Sequence, residues 1–319
     1  MPKTPLVSII VPAFNAAGVI PDALASVRNQ TFEDFETIIV DDGSTDGTVA
    51  VARSFCATDA RFSLLQRVHS GVSVARNAAL ARARGQWIAF QDADDIWLPQ
   101  KLERQVELSR QDPRANFLFT NFFYWDGVSD LYLNYAADRL LPEGDPAHEL
   151  VLACVYGNLT VMVKRDLVLR AGLFDPAFVF AQDWDLWLRI AELGLWARGT
   201  REPLARYRRW PGNQTRRKLD VAEWDVRVLE KNSRATRRAQ LRPIYARSLA
   251  AARTRLQCAR ARSLLESHPE AVPAAVWRAW RLNPRHLKWL LWFVLVAWPK
   301  SLGGCATAPI AHRKIFRKW

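Results

Sequence analysis

The sequence predicts an α/β fold, a mostly parallel sheet with helices on both faces, followed by a helical C-terminal extension. Two observations predict it. From Val7 to Phe90, apolar β-rich runs alternate with amphipathic segments, and a repeated strand–helix order builds a parallel sheet covered on both sides. After Asn213 the pattern becomes helical and Arg-rich, and Pro269, Pro273 and Pro284 divide it into short helices, because proline removes a backbone donor and crowds the preceding turn.

In order, the strands are expected at Val7 to Val11, Thr37 to Val40, Phe62 to Gln66 and Trp87 to Phe90, with helices at Val19 to Arg28, Thr48 to Phe55 and Val72 to Arg84. The runs are short and rich in Val, Ile and Phe, as buried strands are. Between Asn116 and Arg209 the order is mixed. Phe117 to Tyr124 and Leu159 to Lys164 read as strands, Gly172 to Pro176 as a turn, and Asp183 to Glu192 as an amphipathic helix. This stretch is expected to complete the sheet and form the second wall of a cleft. The domain boundary is therefore set at 1–215 and 216–319.

Length and composition bound the function. A chain of 319 residues, half of them hydrophobic, buries a substantial core and is globular. Residues 1–200 carry 18 Lys/Arg against 25 Asp/Glu, while 201–319 carry 27 against 7. A basic surface of this kind suits nucleic acid, an anionic membrane or a phosphorylated ligand, and charge alone does not choose. Cys56, Cys154, Cys258 and Cys305 form no metal-ligand or disulfide framework, consistent with a reducing cytosol. The apolar stretch after Lys3 is short, contains Pro12 and lacks a small-residue cleavage site, so it reads as a strand and not as a secretion signal.

In parallel sheets ligands bind beyond the carboxyl ends of the strands. The residues there are Pro12-Ala13-Phe14-Asn15, Asp41-Asp42-Gly43-Ser44 and Asp92-Ala93-Asp94-Asp95. Like charges as dense as Asp92, Asp94 and Asp95 repel unless a cation neutralises them, and carboxylates with substrate phosphates suit magnesium or manganese. The plainer alternative is an acidic turn before the helix that Pro99 begins. Asp42-Gly43-Ser44-Thr45-Asp46-Gly47-Thr48 reads as a turn with a helix cap at Asp46. That leaves Asp41 and Asp42 at the strand tip, where a carboxylate accepts hydrogen bonds from a base or ribose; Asp42 is assigned to the nucleoside. Arg76, early in the third helix, offers a planar donor to a base or phosphate, against the alternative of a solvated surface arginine. Asp183 is either a helix cap or a general base. The five histidines form no spaced pair and no serine has a nucleophile-elbow context, which argues against hydrolase triads.

Together, Val7-Ser8-Ile9-Ile10-Val11-Pro12-Ala13-Phe14-Asn15, Val40 to Thr48, Gly71-Val72-Ser73-Val74-Ala75-Arg76-Asn77, Asp92-Ala93-Asp94-Asp95 and Gln182-Asp183-Trp184-Asp185-Leu186 resemble the family 2 glycosyltransferases of GT-A fold. The resemblance covers about residues 5–215, and agreement in order and spacing makes it far more specific than any one motif. It implies an inverting transfer from a nucleoside diphosphate sugar, with a uridine diphosphate sugar as the commonest donor in the family. By the same resemblance, Pro12, Ala13, Phe14, Asn15 and Asp42 would hold the nucleoside. Arg76 would lie near the base and diphosphate, Asp92 and Ala93 would contact the donor, and Asp92 and Asp94 would serve a Mn2+ or Mg2+ ion. Asp183 would be the base.

Three positions depart from the family pattern: Gln182 where Glu is usual, His69 where Asn is frequent, and Trp210 where His is frequent. The family histidine is associated with metal or diphosphate, so Trp210 leaves those contacts to Asp94, waters or the nearby Arg208 and Arg209 and implies weaker metal binding. The tail Leu287 to Trp298 is apolar nearly all round but too short to span a bilayer, and Arg285, Lys288 and Lys300 flank it. Tryptophans beside basic residues suit an anionic membrane surface, so residues 270–319 are expected to hold the protein at the inner face of the cell membrane; the alternative is packing on the catalytic domain or a dimer partner. The expected acceptor is a glycan or lipid-linked hydroxyl in surface polysaccharide synthesis. A non-catalytic sugar-nucleotide binder of the same fold is the competing reading, motivated by Gln182 and Trp210. No nucleic-acid motif accompanies the arginines, and no nucleic-acid partner is expected.

Overall fold

The computed structural model describes residues 4–133, 141–210, 217–267, 277 and 281. They divide into two units, Met1–Arg217 with Arg227–Ser248, and Lys218–Val226 with Leu249–Trp319.

The first unit carries the sheet. Strands β1 (Val7–Ala13), β2 (Phe35–Asp41), β3 (Phe62–Gln66) and β4 (Trp87–Phe90) are parallel, and the sheet continues through β8 (Met162–Lys164), β6 (Phe117–Trp125), β9 (Ala197–Arg208) and β5 (Ile96–Trp97) in the order β3-β2-β1-β4-β8-β6-β9-β5. A short strand β7 (Asp130–Leu133) pairs antiparallel with β6. β8 is antiparallel to both β4 and β6, so the right half of the sheet is mixed. Helices α1 (Ile20–Arg28), α2 (Thr48–Thr58) and α3 (Val72–Leu80) connect the parallel strands, and α4 (Lys101–Gln111), α5 (Ala147–Leu152), α6 (Arg165–Arg170) and α7 (Gln182–Glu192) follow. The mixed α/β sheet is the predicted class.

Every residue of β1 and β4 is buried, as expected of strands covered on both faces. Val7, Ile9 and Val11 pack with Ile20, Leu24 and Val27 of α1 and with Trp87 and Trp97 in one apolar cluster. The α1 residues recur at helical spacing, which puts them on the face toward the sheet.

Several boundaries differ from expectation. Leu159 and Thr160 lie in a 3-10 turn, Asn158–Thr160, so that strand is confined to Met162–Lys164. β5 and β9 carry no alternating apolar signal and were not anticipated. β9 includes Arg198, Arg201, Arg206 and Arg208, and its pairing with β6 compensates for a sequence that does not read as a strand. Helix α3 ends at Leu80, four residues before Arg84.

α8 (Lys218–Ala235) and α9 (Arg242–Ser267) confirm the helical C-terminal region. Within the second unit, Arg260 pairs with Glu223 at 2.8 Å, and burial pushes the Cys258 thiol up to about 11. Among the described residues no helix is long and apolar enough to cross a membrane. Apart from Trp277 and Arg281, the Trp-rich stretch 270–319 expected to meet a membrane lies outside the described residues.

Candidate active site

The carboxyl ends of β1, β2 and β4 converge, and the loops after them are stitched together. After β1, Asn15 takes a left-handed φ of 46°. Its Oδ1 accepts from Thr45 N at 2.9 Å, and its backbone N–H donates to Ser44 Oγ at 2.9 Å. Asp46 accepts from Ala17 N at 3.0 Å and from Thr48 N at 3.0 Å, so it caps α2 although the N-cap residue itself is Gly47. Pro12 and Ala13 still belong to β1; the turn begins at Phe14.

Asp42, almost wholly buried, uses its carboxylate to fold a second turn. It accepts from Gly71 N at 2.8 Å and from Ser70 N at 3.1 Å, and His69 Nδ1 lies 2.9 Å away. Gly43 is required here: its φ is +82°, and a Cβ would meet His69 N at 2.7 Å. The His69 ring then stacks on Phe14, centroids 4.0 Å apart and planes 24° from parallel. Phe14 is 45% exposed, an aromatic face left open at a strand tip.

Between these turns lies a cavity of about 290 Å³, lined by Pro12, Ala13, Phe14, Asp42, His69 and Phe178 among others. A larger, shallower cleft of about 540 Å³ sits at the opposite ends of the strands, near Thr4, Gln86 and Lys164. It contains none of the motif residues.

Arg76 is not on a solvated face. It is buried on α3, with its guanidinium 5.3 Å from the centre of the Phe174 ring and its Nη2 donating to Asp92 Oδ1 at 2.6 Å. Its Nε and Nη1 are buried and have no hydrogen-bond partner among the described residues. Buried donors of a charged group are costly unless met, and these two are left unmet. Asp183 lies in the first turn of α7, not at its cap; Ala181, at the cap, has a left-handed φ of 52°. Burial pushes the Asp183 carboxyl up, and the nearby Arg76 cation opposes that shift, while Asp92 adds to it. Arg76, Asp92 and Asp183 are thus one electrostatic group assembled from three elements.

The turn after β4 is crowded with negative charge. Burial and the neighbouring Asp92 raise the Asp94 carboxyl, and burial with both neighbours raises Asp95 well above its ordinary value. Asp95 Oδ1 accepts from Arg208 N at 2.9 Å, while its Oδ2 is buried without a partner among the described residues. Arg208 donates through Nε to the Asp94 carbonyl at 2.9 Å and reaches Asp22 at 2.9 Å. Trp210 donates its indole N–H to Asp94 Oδ2 at 3.1 Å. The Ala93 methyl is buried in the core, leaving only its backbone to a ligand. Excess carboxylate on one turn fits a divalent cation. No group of three His, Cys, Asp or Glu side chains surrounds one point among the described residues, so such an ion would depend on ligands from outside the chain.

One contributor escapes a reading of the sequence. Asp185 is fully buried, accepting from Arg189 Nη2 at 2.7 Å, Lys231 Nζ at 2.9 Å and Asn232 Nδ2 at 3.0 Å. The one signal for it is an acidic residue on the apolar face of α7.

The chain matches known proteins over this same region. The model described as glycosyl transferase family 2 matches residues 8–163. The putative teichuronic acid biosynthesis glycosyltransferase TuaG of Bacillus subtilis is 37% identical over 208 residues, 64% of this chain and 79% of the relative. The UDP-Glc:alpha-D-GlcNAc-diphosphoundecaprenol beta-1,3-glucosyltransferase WfgD of Escherichia coli is 34% identical, over 58% of this chain and 69% of the relative. Among solved structures, S. aureus TarS 1–349 in complex with UDP superposes with a TM-score of 0.65 at 18% identity, covering 96% of this chain and 94% of that one. The mannosyltransferase PcManGT from Pyrobaculum calidifontis, in complex with GDP-Man and Mn2+, gives 0.62 at 20%, covering 94% and 88%. At those identities the structural likeness establishes the GT-A fold, and the curated relatives establish more: the chain is a glycosyltransferase and belongs to glycosyl transferase family 2.

Proposed function

We propose that the protein transfers a sugar, with inversion, from a nucleoside diphosphate sugar to a hydroxyl of a glycan or lipid-linked acceptor in surface polysaccharide synthesis. The observation that carries this is the grouping of Arg76, Asp92 and Asp183 at the strand ends, next to the Phe14–His69 cavity. The names of TuaG and WfgD support the pathway class and a lipid-linked acceptor.

In this reading the nucleoside occupies the cavity bounded by the Pro12 to Asn15 segment and Asp42, with the base beside Phe14 and His69. A uridine nucleotide is the first donor to test, since TarS was solved with UDP and WfgD is named for UDP-Glc. The free Arg76 donors bind the diphosphate as a planar fork. Asp92 holds Arg76 in place and contacts the donor beside the Ala93 backbone. Asp94, with Asp92, would hold Mn2+ or Mg2+, whose chemistry when bound is neutralisation of charge on the diphosphate. Asp183 accepts the proton of the acceptor hydroxyl, and its raised carboxyl makes it a stronger base than an exposed aspartate. Residues 1–215 are the proposed transferase domain. Residues 216–319 are the proposed extension, whose basic, Trp-rich end would keep a cytoplasmic enzyme at the inner membrane face.

The test is thermal stabilisation by a panel of nucleoside diphosphates and nucleotide sugars, with and without manganese. A ligand that binds only the folded state raises its stability. A manganese-dependent shift with one nucleotide supports the proposal and identifies the donor class. No shift with any nucleotide rejects it.

A further inference from the structure

Next to the acidic turn, β6, β7 and the end of β9 form an aromatic ledge that the donor reading does not use. Tyr124 and Tyr132 lie with centroids 4.7 Å apart, and Tyr207 meets Tyr124 edge-on at 5.7 Å. The Arg209 guanidinium lies 5.5 Å from the Tyr124 ring and 6.0 Å from the Tyr132 ring, and donates to Tyr132 Oη. Arg209 has no carboxylate partner among the described residues. It is a cation held in place by rings with its charge unneutralised, a state that favours an anionic ligand.

The ledge is tied to the reaction centre through three consecutive residues. Arg208 donates its backbone N–H to Asp95, Arg209 donates its own to the Trp125 carbonyl at 2.6 Å, and Trp210 donates to Asp94. Tyr132 is 49% exposed, and the same hairpin exposes Leu131, its neighbour on β7, and Val128, the latter at 90%. An open aromatic face, a cation without a carboxylate partner and exposed aliphatic side chains on the same edge hairpin match a saccharide, a phosphate and a hydrocarbon.

We infer that this ledge is the acceptor site, and that its ligand is a saccharide joined through a phosphate or diphosphate to a lipid. The inference rests on the transferase reading above and names its second substrate site. The sugar lies against Tyr132 and the exposed Trp210 indole, the phosphate meets Arg209, and the lipid runs out over Leu131 and Val128. A free phosphosugar offers the first two contacts but not the third.

The test uses the full chain and three probes: farnesyl diphosphate-linked GlcNAc, a short analogue of the lipid named for WfgD; GlcNAc 1-phosphate; and UDP with manganese. Binding is measured for the wild type, Arg209→Ala, Tyr132→Ala and Tyr132→Phe. The wild type should bind the lipid-linked probe more tightly than GlcNAc 1-phosphate. Arg209→Ala and Tyr132→Ala should each weaken the lipid-linked probe roughly tenfold, the scale of one hydrogen bond to a charged group, and leave UDP unchanged. Tyr132→Phe keeps the ring and should bind nearly as the wild type does. Three results overturn the inference: no binding of the lipid-linked probe by the wild type, unaltered binding by both alanine variants, or loss of UDP affinity instead, which would assign Arg209 to the donor. Absence of UDP binding by a wild type that still binds the lipid-linked probe in this pattern rejects the donor reading and leaves the ledge standing.

Discussion

Trp210 donates its indole N–H to Asp94 Oδ2 at 3.1 Å, and so occupies an oxygen of the carboxylate proposed to hold the metal ion. The position where the family often has a histidine is thus filled by a donor that would compete with such an ion. A hydrogen bond to a charged group is worth about 1.5–3 kcal/mol, and the half-exposed indole belongs at or below the low end.

Trp210→Phe is therefore expected to lower the manganese concentration needed for half-maximal nucleotide binding by roughly three- to tenfold. Trp210→His, which adds a ligand as well as removing the donor, should lower it further. Manganese titrations monitored by UDP binding check both; an unchanged or increased requirement would remove Trp210 from the metal question.

Asp183 carries the clearest prediction for pH. A base must be ionised to act, and burial raises this carboxyl above its usual range of about 3.9. Activity should then fall as pH drops through a value above that range, and the kcat/KM profile should show an acid limb there. Asp183→Asn should reduce turnover roughly 10²- to 10⁴-fold while nucleotide affinity holds. Near-normal turnover in that variant would take the base role away from Asp183.

Arg76 is predicted to set where that acid limb lies. Its cation lowers the Asp183 carboxyl, opposing burial, so removing it lets the carboxyl rise further and moves the limb to higher pH. Arg76→Lys keeps a charge but loses the planar fork. It should leave the limb near its wild-type position and weaken nucleotide binding, whereas Arg76→Met should move the limb to higher pH and weaken nucleotide binding as well. A limb that stays fixed in Arg76→Met would show that the two groups are not coupled.

The parallel half of the sheet was legible because its runs are apolar, short and regularly interrupted, and because each ends in a polar motif at a strand tip. The mixed half was not. β9 threads arginines through the sheet between β6 and β5, and its stability comes from partners distant in sequence, which local pattern does not encode. Asp42, Arg76, Asp92 and Asp94 could be named from their motifs, yet what each one contacts could not. The carboxylate of Asp42 is largely occupied in folding the His69–Gly71 turn, and the burial of Arg76 depends on Phe174, almost a hundred residues later. The Trp210–Asp94 contact joins positions 116 residues apart, and only the fold brings them together.

The least legible support is Asp185, two residues beyond Asp183. Its wholly buried carboxylate is met by Arg189, Lys231 and Asn232, which fastens the start of α7 to α8. Removing one member of a buried ion network leaves the others uncompensated, at about 3–5 kcal/mol. Asp185→Leu should therefore destabilise the protein by that order in urea unfolding. Replacing both Asp185 and Arg189 with apolar residues should recover part of the loss, since Arg189 is then no longer left without its carboxylate and Lys231 keeps Asp175 at 2.9 Å. The double variant separates two roles. If Asp185 serves stability alone, the folded double variant keeps its kcat. If the network also fixes the direction of Asp183, kcat falls with little change in donor KM, because the proposed donor contacts lie at the ends of β1, β2 and β4 and on α3, not on α7.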